Sequence, residues 1–440
     1  MSGTTLRLPT GREIELGGSL GKGAEGVVRE IVGTKDLCAK LYFDPSPTLE
    51  SRLEALKHHP AAELRGETSE HVHLAWPLER LVDSSGETRG FVMPRIEGER
   101  LTKLLEPDMR FISMREPTWR SLVGIAGRTA TLLDTLHRHD IVMGDVSPAN
   151  IMVDSAGLVT LIDCDTVQFS DTGTGAHHSC SKLTPDYCPP EVGGGEALDA
   201  AHDDFGLAIL VCEMLMEGQH PFHGVPVSRV DGDSDTRENI TAQNNRLVFP
   251  ERLVKVPDLI TPDVLSPAVL ALARACFGPG HSDPDARPAA AEWAAALARL
   301  GMELTTCRVS ANHFHHRGLG RCVWCERIDH GWGDSFPLAL SPTRGRTVRR
   351  LGHQPGPAQR GHTVPRPPTP ARGPAGARAT ATTGAARATT RSAPSPTPSA
   401  GSVTPDGADQ KDASVSSAKI LTWVVVAVIV LIIVISLAAR

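Results

Sequence analysis

A chain of 440 residues is too long for one small core, so one large domain with appendages, or two to three domains, is expected. The net charge of −6 is unevenly placed and by itself points to no partner: residues 341–419 hold ten Arg and two Lys against three Asp, and the rest is acidic. Nine Cys, an odd number standing mostly singly in segments that read as buried, argue against a disulfide scaffold and for a reducing compartment.

The segment Met1 to Leu16 is polar, without the apolar stretch of a signal peptide. Leu6 to Glu30 and Val72 to Met93 are rich in alternating and β-branched residues and predict strands. Pro47 to His58 predicts a helix carrying Glu50 and Glu54. From Trp119 to His137, Leu122, Ile125, Ala126, Leu132, Leu133 and Leu136 recur mostly at helical spacing. Phe205 to Met216 and Ala289 to Leu300 also predict helices, the second opened by Pro288. Strands first and helices later predict an α+β class with two lobes, a small β-rich one and a larger helical one.

Residues 341–419 are Pro, Ala, Thr, Arg, Ser and Gly, with no aromatic residue between Phe336 and Trp423. Such composition cannot bury enough apolar surface to offset its ordering entropy, so a disordered linker with an r.m.s. span of roughly 50 Å is expected. Ile420 to Ala439 then runs uncharged, broken only by Thr422 and Ser436. As a helix it would span about 30 Å, the thickness of a bilayer's hydrocarbon core. Residues 420–439 are therefore expected to form a transmembrane helix. The basic run before it, ending at Lys419, favours a cytoplasmic side for everything upstream.

The motifs that carry chemistry lie before residue 300. Gly21-Lys22-Gly23-Ala24-Glu25-Gly26-Val27-Val28 is a Gly-rich hairpin whose backbone can approach phosphates without Cβ clashes. Lys40, in Cys38-Ala39-Lys40-Leu41, has apolar flanks and falls where the next strand should lie. Met143-Gly144-Asp145-Val146-Ser147-Pro148-Ala149-Asn150 is followed thirteen residues later by Asp163. An Asp, an Asn five residues on and a second Asp after a short hairpin supply a base and two magnesium ligands, the groups phosphoryl transfer gathers around one nucleotide.

Together these fragments resemble the eukaryotic-like (Hanks-type) Ser/Thr protein kinases of bacteria over roughly residues 12–300. The resemblance implies ATP and Mg²⁺ as cofactors and protein hydroxyls as acceptors. It implies that Asp145 takes the substrate proton, that Asn150 and Asp163 hold magnesium, and that Lys40 binds the α- and β-phosphates and pairs with a helix Glu, for which Glu54 is chosen. Gly21, Gly23, Gly26 and Val28 would cover the phosphates. Met93 would be the gatekeeper, with the Pro94 carbonyl and the Ile96 amide facing adenine. Thr184 would hydrogen-bond the catalytic Asp, Glu191 would pair with Arg287, and Asp203 lies in the segment where an Asp caps the catalytic loop.

Three departures stand out. Met143-Gly144 replaces the His-Arg before the catalytic Asp, Ser147 replaces the Lys two residues after it, and the metal-binding triplet reads Asp163-Cys164-Asp165. These keep an ATP-binding pseudokinase scaffold as an alternative. Gly-Asp-x-x-x-x-Asn is also shared with small-molecule phosphotransferases, but the segment Thr184 to Glu191, with Arg287 and Asp203, favours a protein substrate.

Beyond this region lie Cys307, His313, Cys322 and Cys325, a Cys-x2-Cys pair with another Cys and a His, which fit a tetrahedral structural Zn²⁺. His315 or His316 is an alternative to His313. The element resembles short zinc-binding tails after some bacterial kinase domains. Its local charge is modest and gives no strong nucleic-acid signal.

The expected organisation is a kinase-like domain at 12–300, a Cys/His element at 301–335, a linker at 341–419 and a transmembrane helix at 420–439, tethering the kinase to the cell membrane on its cytoplasmic face.

Overall fold

The alternating segments at the start of the chain become six antiparallel strands: β1 (Thr4–Arg7), β2 (Glu13–Lys22), β3 (Gly26–Ile31), β4 (Leu37–Tyr42), β5 (Glu79–Val82) and β6 (Thr88–Pro94). They close into a barrel in the order β1-β2-β3-β4-β6-β5. One face of the pleat buries Leu6, Ile14, Leu16, Ile31, Ala39, Leu81 and Val92 together, while the residues between them point outward. Lys40 lies opposite Val28 on one side and Phe91 on the other, and so points away from the barrel core. Helix α1 (Leu49–His58) lays Leu49 and Leu53 on Phe91, on that outer face.

The chain is seen here in a computed structural model that describes residues 4–338 apart from 66–70, 115, 181, 193–196, 230–234 and 258. The linker expected at 341–419 and the membrane helix expected at 420–439 lie outside the described residues. Among the described residues no helix is long and apolar enough to cross a membrane. The described part falls within one compact unit.

Val72 to Leu78 departs from the expected strand. It holds one bridge, Leu74 to Leu161, made by Ala75 N–H to Leu161 O at 2.9 Å and Leu161 N–H to His73 O at 3.0 Å, and at its end Leu78 N–H reaches Val92 O at 2.8 Å. Pro77 cannot donate to a ladder, and pairing resumes only at β5.

The second lobe is helical: α2 (Leu101–Leu105), α3 (Pro107–Ser113), α4 (Trp119–His137), α5 (Ala200–Leu215), α6 (Thr236–Thr241), α7 (Pro267–Phe277) and α8 (Ala290–Glu303). A reciprocal cap opens α4: the Thr118 hydroxyl accepts the Ser121 N–H, and the Ser121 hydroxyl accepts the Thr118 N–H, both at 3.2 Å. Its apolar stripe packs on α5 and α8. Helix α5 is buried from His202 to Leu215, as suits the central helix of the lobe.

Three short strands sit between the lobes: β7 (Glu99–Arg100), β8 (Ile151–Val153) and β9 (Val159–Leu161), in that spatial order. A small hairpin of β10 (Phe169–Ser170) and β11 (His177–His178) follows. After α8 come β12 (Leu304–Thr306), β13 (Phe314–His316) and α9 (Val323–Asp329).

Candidate active site

The glycine hairpin is built as expected. Gly21 pairs with Val28 and Lys22 with Val27, and the turn closes with Gly23 N–H to Gly26 O at 2.9 Å. The three glycines are there for different reasons. A Cβ on Gly26 would collide with the Leu41 carbonyl of the neighbouring strand, so the fold itself demands glycine. A Cβ on Gly21 or Gly23 would meet next to nothing, so those positions face open space through which a phosphate could approach the backbone.

The catalytic loop is held from below. Asp203 is wholly buried, and its two oxygens accept the N–H groups of Met143 at 2.7 Å and Gly144 at 2.8 Å. Gly144 takes φ = +76°, the bend that turns both amides toward that carboxylate. His137 Nε2 lies 2.9 Å from the same Asp203 oxygen, and His202 Nε2 lies 2.7 Å from Gly144 O. Burial opposes the charged form of His137, but Asp203 outweighs it and raises its pKa. The expected cap by Asp203 is therefore present, and the histidines of α4 and α5 support the loop where Met143-Gly144 cannot.

Asp145 follows directly. Asn150 Nδ2 donates to its Oδ2 at 2.8 Å and to its backbone O at 2.9 Å. Asp145 Oδ1 and Ser147 Oγ are buried with no hydrogen-bond partner among the described residues. Buried polar atoms are normally paired, so these two oxygens are available to a group that enters the loop. Thr184, expected to bond Asp145, does not; its carbonyl serves the local turn to Tyr187 N–H at 2.9 Å.

Asp163 stands in the left-handed region at φ = +57°, which aims its carboxylate back at β4. Lys40 Nζ donates to Asp163 Oδ1 at 3.1 Å and to both oxygens of Asp165 at 2.8 Å. Burial disfavours the charged lysine, but the two carboxylates more than offset this and raise its pKa. The Tyr42 hydroxyl also bonds Asp165. The sequence assignment of Glu54 as the partner of Lys40 is corrected here. Glu54 lies 3.1 Å from His58 and 3.9 Å from Arg80, and Glu50 lies 3.0 Å from Arg80, because α1 turns its acidic strip toward β5. The same helix instead sends Arg52 to the carbonyls of Asp165 (2.6 Å), Ser179 (3.1 Å) and Val167.

The edge of β6 brings Met93 onto the Phe91 cluster beside α1, and Pro94 O lies 3.6 Å from the Cys38 thiol. Ile96 follows, half-buried, on the strand-to-helix connection. Downstream, Glu191 and Arg287 form the expected bidentate pair at 2.7 and 2.9 Å, and Arg287 is buried. Arg237, which the sequence did not flag, donates to the carbonyls of Cys188 (2.6 Å) and Pro189 (3.1 Å) and so pins the same segment. Lys182, also unflagged, places its ammonium 3.9 Å from Asp163 Oδ2.

A second cluster lies far along the chain. The donor atoms of Cys307, His313, Cys322 and Cys325 all fall within 4.8 Å of one another. Cys307 Sγ is 3.5 Å from Cys325 Sγ, and His313 Nδ1 is 3.7 Å from Cys322 Sγ and 3.5 Å from Cys325 Sγ. A tetrahedral zinc with bonds of 2.0–2.3 Å has donor–donor edges of roughly 3.3–3.8 Å, so the set fits. His313 Nε2 meets Asp334 Oδ1 at 2.9 Å, the outer carboxylate that orients a ligating imidazole. His316 is taken by Glu303 at 3.1 Å, and His315 Nδ1 by a backbone carbonyl at 3.2 Å, which leaves His313 as the histidine of the cluster.

Residues 14–296, more than half of the chain, match the family model described as a protein kinase domain. Over 337 residues the chain is 32% identical to the protein kinase YegI of Escherichia coli K12, covering 73% of this chain and 50% of that protein. It is 30% identical over 199 residues to the serine/threonine-protein kinase PknB of Mycolicibacterium smegmatis, covering 44% of this chain and 29% of that one. It is likewise 30% identical over 157 residues to the serine/threonine-protein kinases PknA of Corynebacterium glutamicum, covering 36% and 32%. The chain thus spans about half the length of the YegI protein it resembles.

Proposed function

The chain belongs to the protein kinase domain family, and from that premise we propose that it is a serine/threonine protein kinase tethered to the cell membrane by residues 420–439, with its catalytic part on the cytoplasmic side. The observation that carries the catalytic part of the reading is the orphaned, buried Oδ1 of Asp145, beside a partnered Oδ2. A substrate hydroxyl can donate to it, and Asp145 can accept that proton as the oxygen attacks.

Bound ATP would supply the γ-phosphoryl group, and bound Mg²⁺ would neutralise its developing charge. Asn150 and Asp163 are the residues that would hold the metal, and Lys40 the residue that would hold the phosphates. The Gly21 and Gly23 backbone leaves room for them. Pro94 O and Ile96 N–H are the edge offered to adenine beside Met93. In place of the missing catalytic-loop lysine, Lys182 offers a cation within 3.9 Å of Asp163. The Cys307–His313–Cys322–Cys325 set would hold one structural Zn²⁺.

The serine/threonine preference draws support from the relatives named for it and from the Thr184 to Glu191 segment pinned by Arg287 and Arg237. Intact-mass spectrometry of the full chain in detergent, with Mg-ATP and a generic Ser/Thr acceptor protein, tests this reading. Phosphoserine or phosphothreonine made by the parent and lost in Asp145→Asn and Asp163→Ala supports it. ATP binding without transfer would favour the scaffold alternative and make Ser147 the suspect. Transfer only to small hydroxyl compounds would favour the other alternative. Recovery of the intact protein in the soluble fraction of its cells would remove the tether.

A further inference from the structure

The unusual third residue of the metal-binding triplet has a partner that explains it. Asp165 presents both carboxylate oxygens to Lys40 at 2.8 Å, and its side chain is only 1% exposed. Lys40 and Asp165 are 125 residues apart in sequence, and both are buried with the Tyr42 hydroxyl closing the group. A buried carboxylate and ammonium are retained only when each is paired and hydrogen-bonded.

The helix that should supply an acid to Lys40 offers the opposite charge. Glu50 and Glu54 share the strip of α1 that meets Arg80, and Lys57 joins Glu79 at 2.6 Å on the same side. The residue α1 turns toward the triplet is Arg52. Its guanidinium donates to the carbonyls of Asp165, Val167 and Ser179 and feels the Asp165 charge. A glutamate on that face would add a second buried anion beside Asp165, and like charges in a shared buried site repel. Acid at position 165 and base at position 52 therefore belong together.

We propose that Asp165 is the positioning residue that fixes Lys40 for the nucleotide phosphates, and that Arg52 ties helix α1 to the start and end of the β10–β11 hairpin segment. The phosphate-binding lysine is then held from the metal-binding triplet, and its placement does not require α1 to move. This inference rests on the kinase reading of the site for its function but not for its geometry.

The test follows Lys40 directly. Full-length parent, Asp165→Asn, Asp165→Gly, Glu50→Gln and Glu54→Gln proteins are treated at pH 8 with an amine-acylating reagent, and modification of Lys40 is timed by peptide mass spectrometry. Without Asp165, Lys40 keeps only the Asp163 carboxylate at 3.1 Å, so its amine is held less firmly and meets the reagent sooner. Faster labelling is expected in both Asp165 variants and parental rates in both glutamate variants. Phosphate transfer is measured beside it: kcat/KM for ATP is expected to fall about tenfold or more in the Asp165 variants and to stay within about twofold in the others. The glycine variant removes the carboxylate without placing an amide beside Lys40, so it remains informative if the asparagine variant does not fold. Unchanged labelling in the Asp165 variants, or a Glu54→Gln effect as large as theirs on either readout, would overturn the inference. A parent that transfers no phosphate, with labelling as expected, defeats the kinase reading and leaves the pairing standing.

Discussion

Asp203→Asn is the sharpest test of how the catalytic loop is held. The carboxylate accepts two amide hydrogens, from Met143 at 2.7 Å and Gly144 at 2.8 Å, in a wholly buried position. An asparagine has one acceptor oxygen. In either rotamer its amide group faces one of those N–H donors, so one charge-assisted bond is lost and a buried donor is left unpaired. These two terms sum to about 3–5 kcal/mol, or a fall of roughly 5–8 °C in Tm for a domain of this size. His137 adds a pH signature. Its folded pKa lies above its usual 6.5 because Asp203 outweighs the burial that would lower it. A raised histidine contributes stability that is full below the unfolded value and is lost as pH rises through the folded one. The penalty of Asp203→Asn should therefore be larger at pH 6 than at pH 9. Asp145 follows the two released amides, so kcat should fall by about 10²-fold, as for a misplacement near 1 Å, while KM for ATP stays near parental. Thermal melts at both pH values and steady-state kinetics of the full chain read all three effects. A variant within about 0.5 kcal/mol of the parent at pH 6 would refute this account of the loop.

Three other outcomes are expected. Burial pushes the Glu213 carboxyl up to about 8 from 4.5, against the pull of the Tyr187 hydroxyl, so its contribution is full below pH 4.5 and lost as pH rises through 8. Glu213→Gln should flatten the fall of Tm between pH 5 and 8.5, and an unchanged slope would count against the buried acid. Lys182→Ala should lower kcat at least about tenfold while leaving Tm within a degree or two, because a half-exposed lysine 3.9 Å from its partner adds little to stability; unchanged kcat would remove it from the site. Elemental analysis should find about one zinc per chain, and stripping it with a strong chelator should lower Tm by several degrees; a metal-free protein with the parental Tm would remove the zinc assignment.

The fold was legible where one periodicity ran long enough. In α4 the positions Leu122, Ile125, Ala126, Leu133 and Leu136 are all buried, as the helical spacing required, and Leu132 is only partly so. The catalytic loop was legible because its residues are local: Asp145 and Asn150 touch each other across five positions. What failed was pairing at a distance. Glu54 was chosen for its place along a helix, but which face that helix turns to Lys40 depends on Arg80 in β5, which takes Glu50 and Glu54 away. Asp165 looked like a defect in a motif until Lys40 stood beside it. Lys182 and Arg237 are ordinary surface cations in the sequence, and only the folding of the 163–191 segment gives them carbonyls or a carboxylate to meet.

The Cys/His element bears on the lobe rather than hanging from it. Trp324, one residue before Cys325, is buried with its ring 6.1 Å from Trp119 and 4.8 Å from Phe336, and its indole N–H donates to Phe314 O at 2.6 Å. Arg110, wholly buried, lies over the Phe336 ring and pairs with Glu217 at 3.1 Å. Residues 304–338 thus complete the apolar core of the helical lobe, past the boundary expected at 300. Helix α4 starts at Trp119, against that element, and ends at His137, against Asp203, about 28 Å away at 1.5 Å per residue. One rigid rod between two sites is not by itself a switch, since coupling needs an element with two discrete arrangements. Nothing in α4 offers a second arrangement: it is capped at Thr118, without proline, and packed along its length. Metal loss should therefore act on the fraction of molecules that stay folded, and kcat per folded molecule well below Tm, with the chelator removed and Mg²⁺ restored, should be the same for zinc-stripped and parent protein.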